Sequence, residues 1–548
     1  MGAWPSHNSA WNKWLEGLEE TTEAGYPHPF FFPDNYGDFY SGLGEDPTTL
    51  AELRMMALSW SIRSKHDWNT KVKDMSMLER WRQEALEQQE SMPIDRKLAL
   101  DMHACNDSIF CSSRSIPDDV LTKLRSEAAQ LEKDQKNWHP DSNEQISDFV
   151  DPSLYCIVYG HMGIPAPDQM LFHSTKLAWL PSDFSVAEDG AVRLASPYIN
   201  NIHPSRTGLI STIESVLGSF VPMWERVLAS IRHIRKDRDH SDNKGYTPSH
   251  RINDGPDGVI NCLWAMHEDD EAPIDDEIAE DGYAGFPGED LGERRLAWMR
   301  MLPETRLYLP EAYPEYTGAL ERKFKTISLR GKMLQVIIKL TNIHLTPDKP
   351  EYPGESWKVE GMMNERIVST GIYYYDSENV TDSEVSFRVS VCTPGFHNWE
   401  DDFCTQILYG LEGGKELIQE RGSITTHQGM ALAFPNIYQH RVSPFALVDR
   451  SKPGHRKMLA LFLVDPEVRV PSATEVPAQQ EAWCSEAVQG SLAARLPTEL
   501  RKMVVERVEG MVTLEEANRY RAELIEERGA FMEEYNVQVM QQKLDMTF

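Results

Sequence analysis

Apolar positions along the chain change period twice. Residues 1–47 are rich in Pro, Gly, Asn and aromatics and carry no helical repeat, which predicts an irregular, docked lead segment. From Thr49 the period is helical. Thr49 and Glu52 form a capping-box pair, and Leu50, Leu53, Ala57 and Trp60 share one face. Further helical patterns cover about 74–90, 116–133 and 209–231, with Pro222 expected to kink or interrupt the last. Between Lys332 and Pro466 the period falls to two. MLQVIIKLTNIHLT, ERIVSTGIYYYD, SEVSFRVSV, GMALAFP and RKMLALFLV are β-branched or aromatic runs separated by turn residues. After Pro471 the helical period returns over 496–508 and then behind a second capping box, Thr513 and Glu516.

The fold class read from this pattern is α+β: a double-stranded β-helix (jelly-roll) core with N-terminal and C-terminal helical regions. The expected division is a lead segment at 1–47, a helical N-terminal domain at 48–145, the core at 146–470 and a helical tail at 471–548. The core contains an acidic insertion at 252–293. That insertion holds fourteen Asp and Glu and no Lys or Arg. A solvated loop is the expectation there, against the alternative of cation binding by His267 to Glu271. Glu/Arg alternation in the tail suits a helical brace or a homo-oligomer surface.

Composition narrows the function. The 548 residues carry a formal net charge of −31, which repels phosphate backbones, and no basic stripe with interleaved aromatics offsets it. Nucleic acid is therefore not the expected partner; a small-molecule substrate is. No apolar run reaches the roughly 18 residues of a membrane helix, so no membrane partner is expected. The seven cysteines form no CxxC pair, which suits a reducing, cytoplasmic compartment. The start MGAWPS matches the loose pattern for acylation of Gly2 but has no secretory character. There is no GxSxG, Walker A or paired GxGxxG, which removes the common hydrolase and nucleotide-binding classes. Cys392 and Cys404 lack a His at motif spacing, and His397 and His427 read as loop residues.

The segment PEYPGESWKVEGMMNERIVSTGIYYYD, followed by FPNIYQHRVSPF and GHRKMLALFLVDP, carries the candidate chemistry. A non-haem iron oxygenase needs two His and one carboxylate on one face of the metal, with open positions for a bidentate co-substrate and oxygen. On a strand, i and i+2 point the same way, so paired ligands fall at that spacing. Glu360 can be the carboxylate, His440 the distal imidazole, and Arg456 the anchor for the far carboxylate of 2-oxoglutarate.

The blocks SLYCIVYG (153–160), YINNIHP (198–204), VIIKLTNIHLTPDKPEY (336–352), GIYYYDSENVT (371–381) and HRVSPF with KPGHRKMLALFLVDP resemble, in this order, the fungal domain-of-unknown-function family DUF4246. The resemblance runs from about residue 30 to the C-terminus. The run from Glu360 to Tyr374 and the Gly454-His455-Arg456 block are also similar to prolyl-hydroxylase-like, Fe(II)/2-oxoglutarate-dependent oxygenases. This implies Fe(II) and 2-oxoglutarate as cofactors, with Arg456 and Tyr374 on the co-substrate. Members of the family read Trp-His-x-Glu-Gly where this chain has Trp357-Lys358-Val359-Glu360-Gly361. A protonated lysine has no lone pair to give a metal. Lys358 and Glu360 are then expected to form an ion pair in the metal's place, unless His344 supplies the missing imidazole.

Three functions follow as alternatives. One is a small-molecule oxygenase of specialised metabolism. Another is a non-oxidative isomerase, cyclase or bond-forming enzyme using Lys358 as an acid or fixed cation. The third is a binding protein without catalysis.

Overall fold

A computed structural model describes residues 25–30, 47–91, 108–236, 327–393 and 409–544, apart from positions 49, 64, 66, 114, 135–137, 141, 162–163, 169–171, 493–494 and 509. The acidic insertion at 252–293, His397 and Cys404 lie outside the described residues. The elements run α1 (Leu50–Arg63), α2 (Met75–Ser91), β1 (Phe110–Ser112), α3 (Asp118–Asp134), β2 (Ile146–Val150), β3 (Ile157–Val158), β4 (Leu177–Ala178), β5 (Ser182–Val186), β6 (Val192–Leu194) and α4 (Thr207–Lys236). Then come β7 (Met333–Leu345), β8 (Glu351–Tyr352), β9 (Ile367–Glu378), β10 (Ser383–Ser390), β11 (Ile418–Thr426), β12 (Ala431–Pro435), β13 (Gln439–Val442), β14 (Phe445–Ala446) and β15 (Gly454–Val464). The tail is α5 (Glu481–Leu492), α6 (Thr498–Val505) and α7 (Leu514–Tyr535). Among the described residues no helix is long and apolar enough to cross a membrane.

The fold mixes helices with antiparallel sheets. The large sheet has the order β1-β12-β9-β15-β7-β5-β6, with β2 also paired to β7; the small one is β11-β10-β13. Short ladders join β14 to β8 and β3 to β4. An antiparallel bridge between Lys358 and His440 adds the segment after β8 to the free edge of β13. From β7 onward the chain therefore passes back and forth between the two sheets.

The five apolar runs of period two form β7, β9, β10, β12 and β15. The strands β11 and β13 are too polar for that signal: IQERGSITT and QHRV are held by ladder hydrogen bonds to β10. Strands also occur well before residue 332. β1 adds to β12 from within the stretch expected to be a helical N-terminal domain, so elements on either side of residue 145 share one sheet. Helix α5 was not signalled either, since its one Trp and scattered alanines give no clear stripe.

Helix α4 puts Ile213, Val216, Leu217, Phe220, Trp224 and Leu228 into the main apolar cluster with β7 residues Leu334, Val336, Ile338 and Leu340. It runs through Pro222 as one element rather than stopping there. Packing on both sides of the proline offsets the one lost backbone hydrogen bond. Contact with the sheet is direct at Gly371 on β9, where a Cβ would come within 2.7 Å of the Phe220 ring.

The tail docks on its own chain. Thr513 and Glu516 form the expected capping box. From α7, Leu524 enters a cluster with Trp179, Met362, Ile367 and Phe462. Arg521 Nε lies 2.6 Å from Asp151 Oδ2. Arg528 pairs with buried Glu365, and its guanidinium sits 3.6 Å from the Trp179 ring centroid. The described part of the lead segment is docked too. Tyr26 N–H donates to Asp465 (2.7 Å), and Phe30 stacks on Phe172 and meets the edge of Tyr535.

Gly371→Ala should therefore overpack the helix–sheet contact and cost about 1–3 kcal/mol. Urea unfolding of both forms measures this; an unchanged midpoint would mean that α4 does not rest on β9 as described.

Candidate active site

Strand alternation builds the site. After β8 the chain runs extended through Glu355-Ser-Trp-Lys-Val-Glu360. Lys358 N–H donates to the His440 carbonyl (3.1 Å), and His440 N–H returns to the Lys358 carbonyl (2.9 Å). Lys358 and Glu360 then share one side of the segment. Trp357 and Val359 take the other: Trp357 stands between the Arg388 and Arg441 guanidinium groups at 4.6 and 4.5 Å, and Val359 is buried with Phe30, Tyr535 and Met540. The segment ends at Gly361, φ +82°, where a Cβ would come 2.7 Å from Ile367 and 2.9 Å from Glu365. Asn436 clamps this turn, accepting from Glu360 N–H (2.9 Å) and donating to the carbonyls of Glu360 (2.7 Å) and Ile367 (2.9 Å).

The ammonium of Lys358 is shared between two carboxylates. Its Nζ lies 2.9 Å from Glu355 Oε2 and 3.6 Å from Glu360 Oε1. Glu360 Oε1 also lies 3.4 Å from His440 Nε2. Burial works against charge on all of these groups, but their mutual attraction prevails. Desolvation pushes Glu360 up, and Lys358, the His440 hydrogen bond and Lys339 bring it down to about 2. Burial likewise opposes the Lys358 charge, yet Glu355 and Glu360 raise its pKa above the ordinary lysine value. Glu355 is lowered on balance, its burial outweighed by Lys358.

His440 is buried, opposite Phe387 in register and 4.9 Å from the Phe434 ring. A carboxylate can only accept, so the imidazole nitrogen facing Glu360 is the donor. Nδ1 is buried and meets no hydrogen-bond partner among the described residues.

Arg456 on β15 is buried without an ion pair among the described residues. Its guanidinium donates to the hydroxyls of Ser383 and Thr426 (the latter at 3.1 Å) and to the Thr381 carbonyl (3.3 Å). The Phe445 ring lies 4.7 Å from it, the Tyr374 ring 5.9 Å, and Nε is unpartnered. Burial lowers its pKa. Burial raises that of Tyr374, which feels Arg456 on one side and Glu355 and Lys358 on the other. Tyr352 completes the connection: its hydroxyl is 3.4 Å from Glu355 Oε1, and its ring is 5.0 Å from that of Phe445.

Lys358, Glu360, His440, Tyr374 and Arg456 are thus brought together, and His344 is not. His344 pairs in register with His455, and Arg456 with Ile343. Directly paired residues of an antiparallel ladder point to the same face, so His344 faces away from Arg456. It lies edge-on to Trp138, and burial lowers its pKa, with Glu132, His455 and Lys457 as its charged neighbours. His427 sits in a turn, 3.1 Å from Ser113 Oγ. Glu355, Tyr352 and Asn436 were not singled out in the sequence. The spacing of Glu355 three before Lys358 was visible, but only the turn at Gly354, φ +84°, brings its carboxylate to the ammonium.

Among the described residues no group of three or more His, Cys, Asp or Glu is arranged to hold a metal ion. Fe(II) is not matched by this donor set: Glu360 and His440 offer two donors, and the third position carries an ammonium with no lone pair.

The family models match two parts of the chain: the protein of unknown function DUF4246 over residues 76–487 and its N-terminal domain over 5–84. The chain belongs to the DUF4246 family. The match includes the segment that carries Lys358 and Glu360. No curated protein matches the DUF4246 chain. Among solved structures, it is similar to the Fe(II)/(alpha)ketoglutarate-dependent dioxygenase TqaL, in selenomethionine-labelled form (10% identity, 69% of this chain and 90% of that one, TM-score 0.26). Others are IDO from Bacillus thuringiensis (13%, 27% and 54%, 0.17) and a bsmA homologue from Methylobium petroleophilum PM1 (12%, 28% and 50%, 0.16). These likenesses are too weak to carry an argument.

The charge arrangement has a pH signature. Glu360 is depressed from 4.5 to about 2, so its stabilising contribution is full above pH 4.5 and is lost as the pH falls towards 2. Lys358→Met should cost about 1–3 kcal/mol at pH 7, after allowing for its partial exposure, and roughly half of that at pH 3, where Glu360 in the folded protein is still largely ionised. Urea unfolding at the two pH values tests this; an equal loss at both would remove the ion pair as its cause.

Proposed function

We propose that this DUF4246 protein is a small-molecule enzyme on a double-stranded β-helix, and that its pocket works by acid–base chemistry around a fixed ammonium instead of by iron. The alternation of strands between the two sheets supports the fold: β12-β9-β15-β7 in one and β11-β10-β13 with the Lys358 segment in the other. The observation that carries the function is the position of Lys358 Nζ, between Glu355 and Glu360 and on the same side of the strand as Glu360.

Held charged by two carboxylates, Lys358 is a poor proton donor and a good partner for negative charge developing on a substrate oxygen. His440, oriented by Glu360 through Nε2, offers Nδ1 as the basic nitrogen of its neutral form, which can take a proton from one carbon and return it to another. Arg456, with no acidic counter-ion among the described residues, suits a carboxylate remote from the reacting carbon. This combination fits an isomerisation or bond-forming step through an enolate-like anion.

The second reading, Fe(II)/2-oxoglutarate-dependent oxidation, draws on the meeting of Glu360 and His440 near Arg456 and Tyr374. In that reading Glu360 and His440 would hold the metal, which would supply oxygen activation, and Arg456 and Tyr374 would hold the co-substrate.

Anaerobic titration with Fe(II) and 2-oxoglutarate separates the two. We expect weak iron binding by the native protein and a gain of the chelate's charge-transfer absorption in Lys358→His, where imidazole supplies the lone pair at the i, i+2 position. Tight binding by the native protein that Lys358→Ala leaves unchanged would return the pocket to the oxygenases. Failure of a folded Lys358→His to bind iron would remove oxygenase ancestry from the reading of this pocket.

A further inference from the structure

The charges of the pocket are unequally spent at its two ends. At one end Glu355 and Glu360 face a single ammonium, Lys358, and Glu360 also lies 3.4 Å from His440 Nε2. Lys339 acts on Glu360 too, but its ammonium pairs with Asp148 at 3.4 Å. Among the described residues two carboxylates there share one lysine. At the other end the Arg456 guanidinium touches hydroxyls and a carbonyl but, among the described residues, no carboxylate; Asp382 acts on it only from beyond ion-pair distance. One positive charge is left over there. Between the two ends run Tyr352, Phe445 and Tyr374, an aromatic connection with no charge of its own.

An isolated buried guanidinium and an unbalanced carboxylate pair are both costly unless something from outside completes them. A dicarboxylate would satisfy Arg456 and be repelled by the Glu355 end. A simple amine would do the reverse. We infer that the pocket's ligand is a zwitterion, an amino acid or close analogue, whose carboxylate lies on Arg456 and whose ammonium joins Lys358 between Glu355 and Glu360. The inference rests on the reading of Arg456 as a carboxylate anchor given above and adds the class of substrate. Glu355 becomes a specificity residue for the amino group, a role separate from the Glu360–His440 pair.

Calorimetry on the full chain tests this with pairs of ligands that differ only in the amino group: pentanoate against norvaline and against 5-aminopentanoate, with glutarate as the dicarboxylate. The expected result is that at least one amino compound binds about tenfold or more tightly than pentanoate, and that glutarate gains nothing. Glu355→Gln should abolish that gain, whereas Arg456→Gln should weaken binding of all four ligands. The native-protein comparison needs no variant to fold. If carboxylates bind in an Arg456-dependent way but the amino group adds nothing, or if glutarate binds best, the zwitterion inference falls and the carboxylate anchor stands. If no ligand in the set binds in an Arg456-dependent way, both the anchor and the inference fall.

Discussion

Two backbone hydrogen bonds between Lys358 and His440 fix almost everything that follows. They place the Glu355–Glu360 segment on the open edge of β13, and strand alternation then decides which side chains can meet. With this register Lys358 and Glu360 face His440, while Trp357 and Val359 face outward to the arginines and to the tail. A shift by one residue would exchange the two sets, burying an indole against Glu355 and leaving the ammonium among Phe30, Tyr535 and Met540. Gly361 and Asn436 guard against that slip, because only glycine turns so sharply beside Ile367 and only a side-chain amide can serve Glu360 and Ile367 together.

The electrostatic design follows from the same geometry. Buried charges are tolerated where each faces an opposite one, as Arg528 faces Glu365 and Arg521 faces Asp151. Those pairs join α7 to the body of the chain and are balanced. Inside the pocket the balance fails in two places, at the doubled carboxylates and at Arg456. An imbalance beside a well-paired scaffold is what a binding site requires, since a ligand gains most where the protein has left a charge unanswered.

Much of the architecture was legible in the chain because burial on one face writes period two into a strand. β7, β9, β10, β12 and β15 are such strands, and their limits fall close to the apolar runs. β11 and β13 were not legible, because strands flanking a central one can be specified by ladder hydrogen bonds with Ser, Thr, Gln and Arg in place of apolar residues. The capping box at Thr513 marked α7 correctly, whereas α5 has no such signal. For the site, Lys358, Glu360, His440, Tyr374 and Arg456 could be gathered from spacing and resemblance. Glu355 could not, since its approach depends on a left-handed glycine at 354. His344 shows the converse limit: it lies on a strand beside the pocket, and only the cross-strand register shows that it faces the other way.

The back of the pocket strand is closed late. Val359 is covered by Tyr535, Val539 and Met540, and buried Glu365 is answered by Arg528, all from beyond residue 520. During synthesis on the ribosome, β7, β9 and β15 can pair while the strand bearing Lys358 still lacks its backing. A nascent chain at that stage presents an apolar groove along Val359 and Met363 and a carboxylate without its guanidinium. The emergence of α7 then covers the back of that strand and gives Glu365 its guanidinium, so the order of translation sets when this part of the sheet is completed.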